Sequence, residues 1–182
     1  MGTSKYLEEV LRRYESSFDL YRDYSIEGEK YPAYGYFFSL GEKYVLKKEA
    51  KLWSIRAYEH VLFVEVDTLT KDYIAHLNDV MTNYMEPVLV RKNLKYPEKD
   101  HMISYLTMIV ISNNTPDSDT IKAIRKFRFD KGYLFNFRGH SEGDFLCACL
   151  DSGKVFTNYG AKRLRDMYEN VFDHLDKACS GF

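Results

Sequence analysis

The chain has 182 residues and a formal net charge of −1, with 29% of residues charged and 45% hydrophobic. That length can hide roughly 70% of the unfolded surface in one core, so a single soluble globular domain over residues 1–182 is expected. Near-neutral charge supplies no basic excess to grip a phosphate backbone, so nucleic acid is not an expected partner.

At the N-terminus, MGTSKYLEEV lacks the apolar centre of a signal peptide, and Tyr6 stands where a myristoylation signal needs serine or threonine. Leu7, Leu11, Tyr14, Phe18 and Tyr21 recur at spacings of four and three, which predicts one helix over 4–24 capped by Thr3 or Ser4. After Gly28 and Pro32 the period becomes two. Tyr34, Tyr36, Phe38 and Leu40 predict a strand, Leu40–Lys43 a turn, Tyr44–Ala57 a second strand and Val61–Val66 a third, together an antiparallel meander. Matching apolar faces pairs Trp53 with Val64 and Ile55 with Leu62, with the hairpin turn on Tyr58 and Glu59.

Thr70 caps a helix that uses Tyr73, Leu77, Val80 and Tyr84, with Pro87 past its end. Residues 87–102 show no period and read as a long loop, a length that is often functional. Residues 103–112 are apolar on both faces, the mark of a central, doubly covered strand. This apolar run, starting at Met102, is broken by serine and threonine and is half a membrane span, so no membrane partner is expected. A helix over 117–127 follows, capped by Asp117 or Ser118. Tyr133, Phe135 and Phe137 predict a strand, RGHSEG a turn, DFLCACL a strand, DSGK a turn into VFTN, and Leu164–Leu175 a last amphipathic helix. The fold class is α+β: one mixed sheet of a meander, a central apolar strand and C-terminal antiparallel strands, packed by four helices.

Cys147 and Cys149 share one strand face, poor geometry for bridging each other, and read as small core hydrophobes. With Cys179 the count is odd and forms no disulfide framework, which fits a reducing compartment. The C-terminal Cys179-Ser-Gly-Phe182 shares only its cysteine with a prenylation box. The expected location is cytoplasmic.

Sixteen tyrosines stand beside 12 phenylalanines and one tryptophan, and seven tyrosines precede residue 37. Tyrosine suits both core edges and binding surfaces. Tyr6, Tyr14, Tyr21, Tyr24, Tyr34 and Tyr36 are therefore the candidate ligand or interface residues, and their density predicts a homodimer, the commonest assembly.

Catalytic signals are weaker. Arg138, His140, Ser141, Glu142 and Asp144 supply the types of an acid–base or nucleophilic site, with His140 among the candidates and an exposed turn as the alternative. Triads assemble in space, however, and closeness along the chain supports one little. His60, His76, His101 and His174 are isolated and read as surface or helix-edge residues. No histidine or cysteine pairs stand at zinc spacing, and no phosphate-binding or dinucleotide motif occurs, so no metal or cofactor is expected.

Over residues 5–112 the predicted order resembles restriction-endonuclease-like nucleases in topology. That resemblance implies an acid on one meander strand and Glu-x-Lys on the next, holding magnesium. Here Glu49-Ala50-Lys51 falls one strand early, and Glu65-Val66-Asp67 has an acid in place of the lysine. In the hairpin register above, Glu49 and Lys51 face away from Glu65 and Asp67. The segments YLEEVLRRYESSFDLYRDY, LKKEAKLWSI, FNFRGH and LDSGKVFTN resemble a bacterial family of small cytosolic proteins without an assigned activity, which implies a compact domain and no catalytic residue. The leading expectation is a non-catalytic binding or scaffolding domain of unknown ligand. A metal-dependent hydrolase or nuclease is the alternative. A weak nucleic-acid binder using Lys43, Lys47, Lys48, Lys51, Arg91, Lys92 and Lys95 comes third.

Overall fold

The computed structural model describes residues 3–43 and 53–180. In chain order its elements are α1 (Thr3–Tyr14), β1 (Asp19–Ile26), β2 (Glu29–Lys43), β3 (Trp53–Thr68), α2 (Lys71–Val80), a π-helix (Met81–Val90), β4 (His101–Asn114), α3 (Ser118–Lys126), β5 (Asp130–Gly132), β6 (His140–Cys149), β7 (Lys154–Thr157), a short 3₁₀ helix (Gly160–Leu164) and α4 (Arg165–Ser180). The seven strands form one mixed sheet ordered β1-β2-β3-β4-β6-β5, with β7 also paired to β6. β1-β2-β3 is the antiparallel meander, and β3, β4 and β6 run parallel. This is the α+β fold that the order of sequence signals predicts.

The helical stripe ends earlier than its period suggests. Ser17 and Phe18 both donate backbone N–H groups to the Tyr14 carbonyl and close α1 there. Residues 19–26 pair with β2 instead, through a two-residue turn in which Glu27 (φ 50°) and Gly28 (φ 91°) are both left-handed, the backbone that matches the twist of a hairpin. The predicted turn at Tyr58-Glu59 is absent, because β3 is one continuous strand with Trp53 opposite Lys43 and Ile55 opposite Gly41. Its middle is paired on both sides, by β2 and β4, which leaves no place for a reversal.

The helix begun by Thr70, whose hydroxyl accepts from Tyr73 N–H at 3.2 Å, runs through Pro87 into the segment predicted as loop. A proline inside an α-helix crowds the carbonyl four residues back. Here the turns are wider, and Arg91 N–H reaches five residues back to the Glu86 carbonyl at 3.2 Å. Between β5 and β6 the strand predicted at Tyr133–Phe137 is a turn, with Leu134, Phe135 and Asn136 all left-handed. His140, Ser141 and Glu142 lie on β6 rather than in the turn.

Tertiary cover is two-sided. Tyr6, Leu7, Val10 and Leu11 of α1 join Tyr168 and Val171 of α4 over Val61, Phe63, Ile109 and Leu146. Ile74, Leu77, Met81 and Met85 cover Leu62, Leu106, Met108 and Phe145 on the other face. Cys147 and Cys149 are buried and free, with sulfurs 3.9 Å apart.

One carboxylate fastens the π-helix. Glu86 is 1% exposed, accepts from Arg91 at 2.6 and 3.1 Å, from Lys131 at 2.8 Å and from the Tyr133 hydroxyl at 3.0 Å. Burial pushes its pKa up, and the hydrogen bonds from Arg91, Lys131 and Tyr133 outweigh that and hold it below its ordinary value. Removing one partner of a buried charged group costs about 3–5 kcal/mol. Glu86→Gln should therefore lower unfolding stability by about 3 kcal/mol in urea denaturation, whereas a loss below about 1 kcal/mol would show that the carboxylate is dispensable.

Candidate functional site

Four of the six candidate tyrosines meet in one place. Tyr21, Tyr24, Tyr34 and Tyr36 line a cleft of about 410 Å³, together with Tyr58, His60 and Ser104 from the sheet and Val88, Leu89, Val90, Lys92 and Glu98 from the π-helix end and the segment after it. Strand pairing explains part of this: Tyr21 lies opposite Tyr34, and Tyr36 opposite His60. Three apart on a strand, Tyr21 and Tyr24 would face opposite sides. The left-handed backbone of Asp23 (φ 52°) breaks that alternation, and both rings reach Tyr34, at 5.8 and 4.6 Å between centroids.

Ring contacts continue without a gap. Tyr34 lies 6.1 Å from His60, His60 5.3 Å from Tyr36, Tyr36 6.4 Å from Tyr58, and Tyr58 5.8 Å from His101. Three of the polar tips are engaged: Tyr34 Oη shares a 2.7 Å hydrogen bond with His60 Nδ1, Tyr24 Oη lies 3.4 Å from Tyr84 Oη, and Tyr58 donates to Glu98 at 2.5 Å. Arg56 also donates to Glu98. His101 Nδ1 donates to the Arg138 carbonyl at 2.8 Å, which leaves Nε2 of the neutral ring to accept from the Ser104 hydroxyl at 2.8 Å.

Burial sets the protonation states. It pushes the phenols of Tyr24, Tyr34, Tyr36 and Tyr58 upward, so all four stay protonated at neutral pH. Burial pushes His60 down to about 4, with His101 and Lys92 adding to the effect, and it also lowers His101. The Tyr58 hydroxyl, with Arg56 and Lys92 nearby, holds Glu98 below the usual carboxylate range.

The remaining candidates lie elsewhere. Tyr6 and Tyr14 are buried between α1 and α4, where Tyr6 donates to the Tyr168 carbonyl at 2.8 Å and Tyr14 Oη lies 3.0 Å from Tyr168 Oη. Glu49 and Lys51, like Lys47 and Lys48, fall outside the described residues, and so does the separation of Glu49 from Glu65. Glu65 lines a second depression with Leu7, Glu8 and Arg22. The Asp67 carboxylate accepts from Asn113 at 3.3 Å and Asn114 at 3.4 Å. His140 Nε2 lies 2.9 Å from Glu142 Oε1. Asp144 and Glu59 are both bound by Arg163, whose guanidinium lies 4.7 Å over the Tyr105 ring and closes that group. Arg91 is engaged by Glu86, and Lys95 sits over Tyr96 at 5.4 Å.

Sequence reasoning missed Tyr58, His60, Glu98 and His101, and named Lys92 only as a base for nucleic acid. The signal for two of them was present. Read as one strand, Tyr58-His60-Leu62-Val64 repeats every second residue and puts His60 on a buried face, where it is 3% exposed.

A family model described as a domain of unknown function (DUF8052) matches residues 3–170, so the chain belongs to that family. No curated protein and no solved structure matches it. Among the described residues no helix is long and apolar enough to cross a membrane.

The buried imidazole couples stability to pH. The ring titrates ordinarily at 6.5 and in the folded chain at about 4. Between those values the unfolded chain takes up a proton that the folded chain refuses, so stability present above pH 6.5 is lost as the pH falls toward 4. The full loss from this group is about 3 kcal/mol. Glu59 and Asp144, raised by burial, act in the opposite direction. A His60→Gln variant keeps those acids, so its unfolding free energy should fall roughly 3 kcal/mol less than that of the unaltered chain from pH 7 to 4. Parallel pH profiles for the two proteins would refute the assignment.

Proposed function

We propose that the chain is a non-catalytic binding domain and that its ligand is a small molecule held in the tyrosine cleft. The observation that carries this reading is the convergence of five tyrosines and a neutral histidine, from three neighbouring strands, opposite the aliphatic end of a π-helix. Clefts of this size, mostly apolar with a few placed polar groups, are the usual form of small-molecule sites. π-Helical turns and left-handed non-glycine residues, here Asp23, Lys92 and Asn93, concentrate at such sites.

Chemistry favours binding over turnover. A general base works best with a pKa near the working pH, and His60 at about 4 is a weak base at neutrality. Protonated phenols are poor nucleophiles. Among the described residues, no group of three or more His, Cys, Asp or Glu is placed to hold a metal.

The test is thermal unfolding against a panel of flat aromatic compounds. A ligand at a hundred times its Kd adds about 2.7 kcal/mol, which for a domain of this size raises Tm by about 5–10 °C. Compounds that do so should lose most of the shift in Tyr36→Ser. Equal shifts in both proteins would place the ligand outside the cleft.

A second reading, self-association, rests on β1, whose outer edge pairs with no strand among the described residues and which carries Tyr21 51% exposed. With Tyr6 and Tyr14 buried, the interface would use this edge. Sedimentation at tens of micromolar, a concentration that detects weak pairing, should then give a dimer; a monomer removes this reading.

A further inference from the structure

The geometry points to a specific ligand class for the cleft: a flat aromatic ring bearing one carboxylate, its ring against the tyrosine floor and its charge on the Lys92 ammonium. This rests on the small-molecule reading above and extends it.

The flat shape follows from the two walls. Tyr34 is stacked on Tyr24 with 25° between ring planes and on Tyr21 with 29°, and Tyr36 and Tyr58 are inclined by 25°. One side of the cleft is thus an aromatic surface. The other is Val88, Leu89 and Val90. Such a slot rewards a planar apolar body, since offset aromatic pairs add about 0.5–1.5 kcal/mol beyond area burial.

The charge follows from the lining groups. Two are ionised, Lys92 and Glu98. Arg56 and the Tyr58 hydroxyl each donate to one oxygen of Glu98, and the guanidinium offsets its charge. His60, the lining histidine, is held neutral by burial. Lys92 remains, exposed and held at φ 52° directly after the π-helix and Arg91. It lines the cleft together with Glu98 and His60. Tyrosine faces also attract organic cations, but a cation would meet Lys92, and the lining carboxylate of Glu98 is already paired with Arg56. A carboxylate meets an unneutralised donor.

Three probes with one ring system separate the possibilities: 2-naphthoate, the neutral 2-naphthalenemethanol and the cationic 2-naphthylmethylammonium, titrated calorimetrically into the full chain at pH 7. Naphthoate should bind about twofold to fivefold tighter than the alcohol, the scale of one exposed charge pair, and the cation weakest. Lys92→Met should bring naphthoate down to the affinity of the alcohol and leave the alcohol unchanged. Lys95→Met, which removes the lysine over Tyr96, should change none of the three. If the cation binds as tightly as naphthoate, or Lys92→Met leaves naphthoate unaffected, the carboxylate class is wrong while the cleft remains a binding site. If none of the three binds, both the class and the cleft reading fall.

Discussion

Burial of β4 on both faces is the constraint from which the rest of the molecule follows. Leu106, Met108 and Val110 point one way and Ile109 and Ile111 the other, all at 0% exposure. A strand with two apolar faces must be flanked by strands and covered by helices on both sides. β3 and β6 supply the flanks, in parallel, so each connection must cross over the sheet and bring a helix with it. The β3–β4 crossover is α2 with the π-helix, and the β4–β6 crossover contains α3. Both cover one face, while α1 and α4 close the other.

The cleft arises where that cover stops. The π-helix ends at Val90, while the same face of the sheet continues onto β2 and β1. Those two strands carry tyrosines where a covered sheet would carry aliphatic residues. Tyrosine suits a half-covered face because its ring can be buried while its hydroxyl finds a partner. Here the partners are largely one another and the neighbouring imidazoles, acids and hydroxyls. The helix end is itself held from beneath by Glu86, whose donors come from the turn after the helix and from the β5–β6 hairpin. Shape of the cleft, protonation of His60 and position of Lys92 are thus parts of one packing arrangement.

Local signals were legible in the sequence wherever short-range physics decides. Thr70 and Asp117 cap their helices as residue type predicts. The apolar run at 103–112 is the buried central strand, the paired cysteines are core, and the order of helices and strands is that of an α+β sheet. Four of the six tyrosines proposed for a ligand or interface surface line one cleft; Tyr6 and Tyr14 belong to the core, because the α1 stripe that carries them packs on α4.

What the sequence by itself determined is the alphabet of elements and the residue types available to a site, since capping, hydrophobic period and turn chemistry act over a few residues. Tertiary structure alone decided the rest. Pairing with β2 made residues 19–26 a strand against their helical period, and flanking by two strands kept β3 straight through Tyr58-Glu59. A wider helical turn absorbed Pro87. His60 and His101, isolated along the chain, became neighbours of the tyrosines because β2, β3 and β4 lie side by side in a register set by the whole sheet. Pairing between residues dozens of positions apart depends on loop closure and on shared burial, and neither is written in any local window.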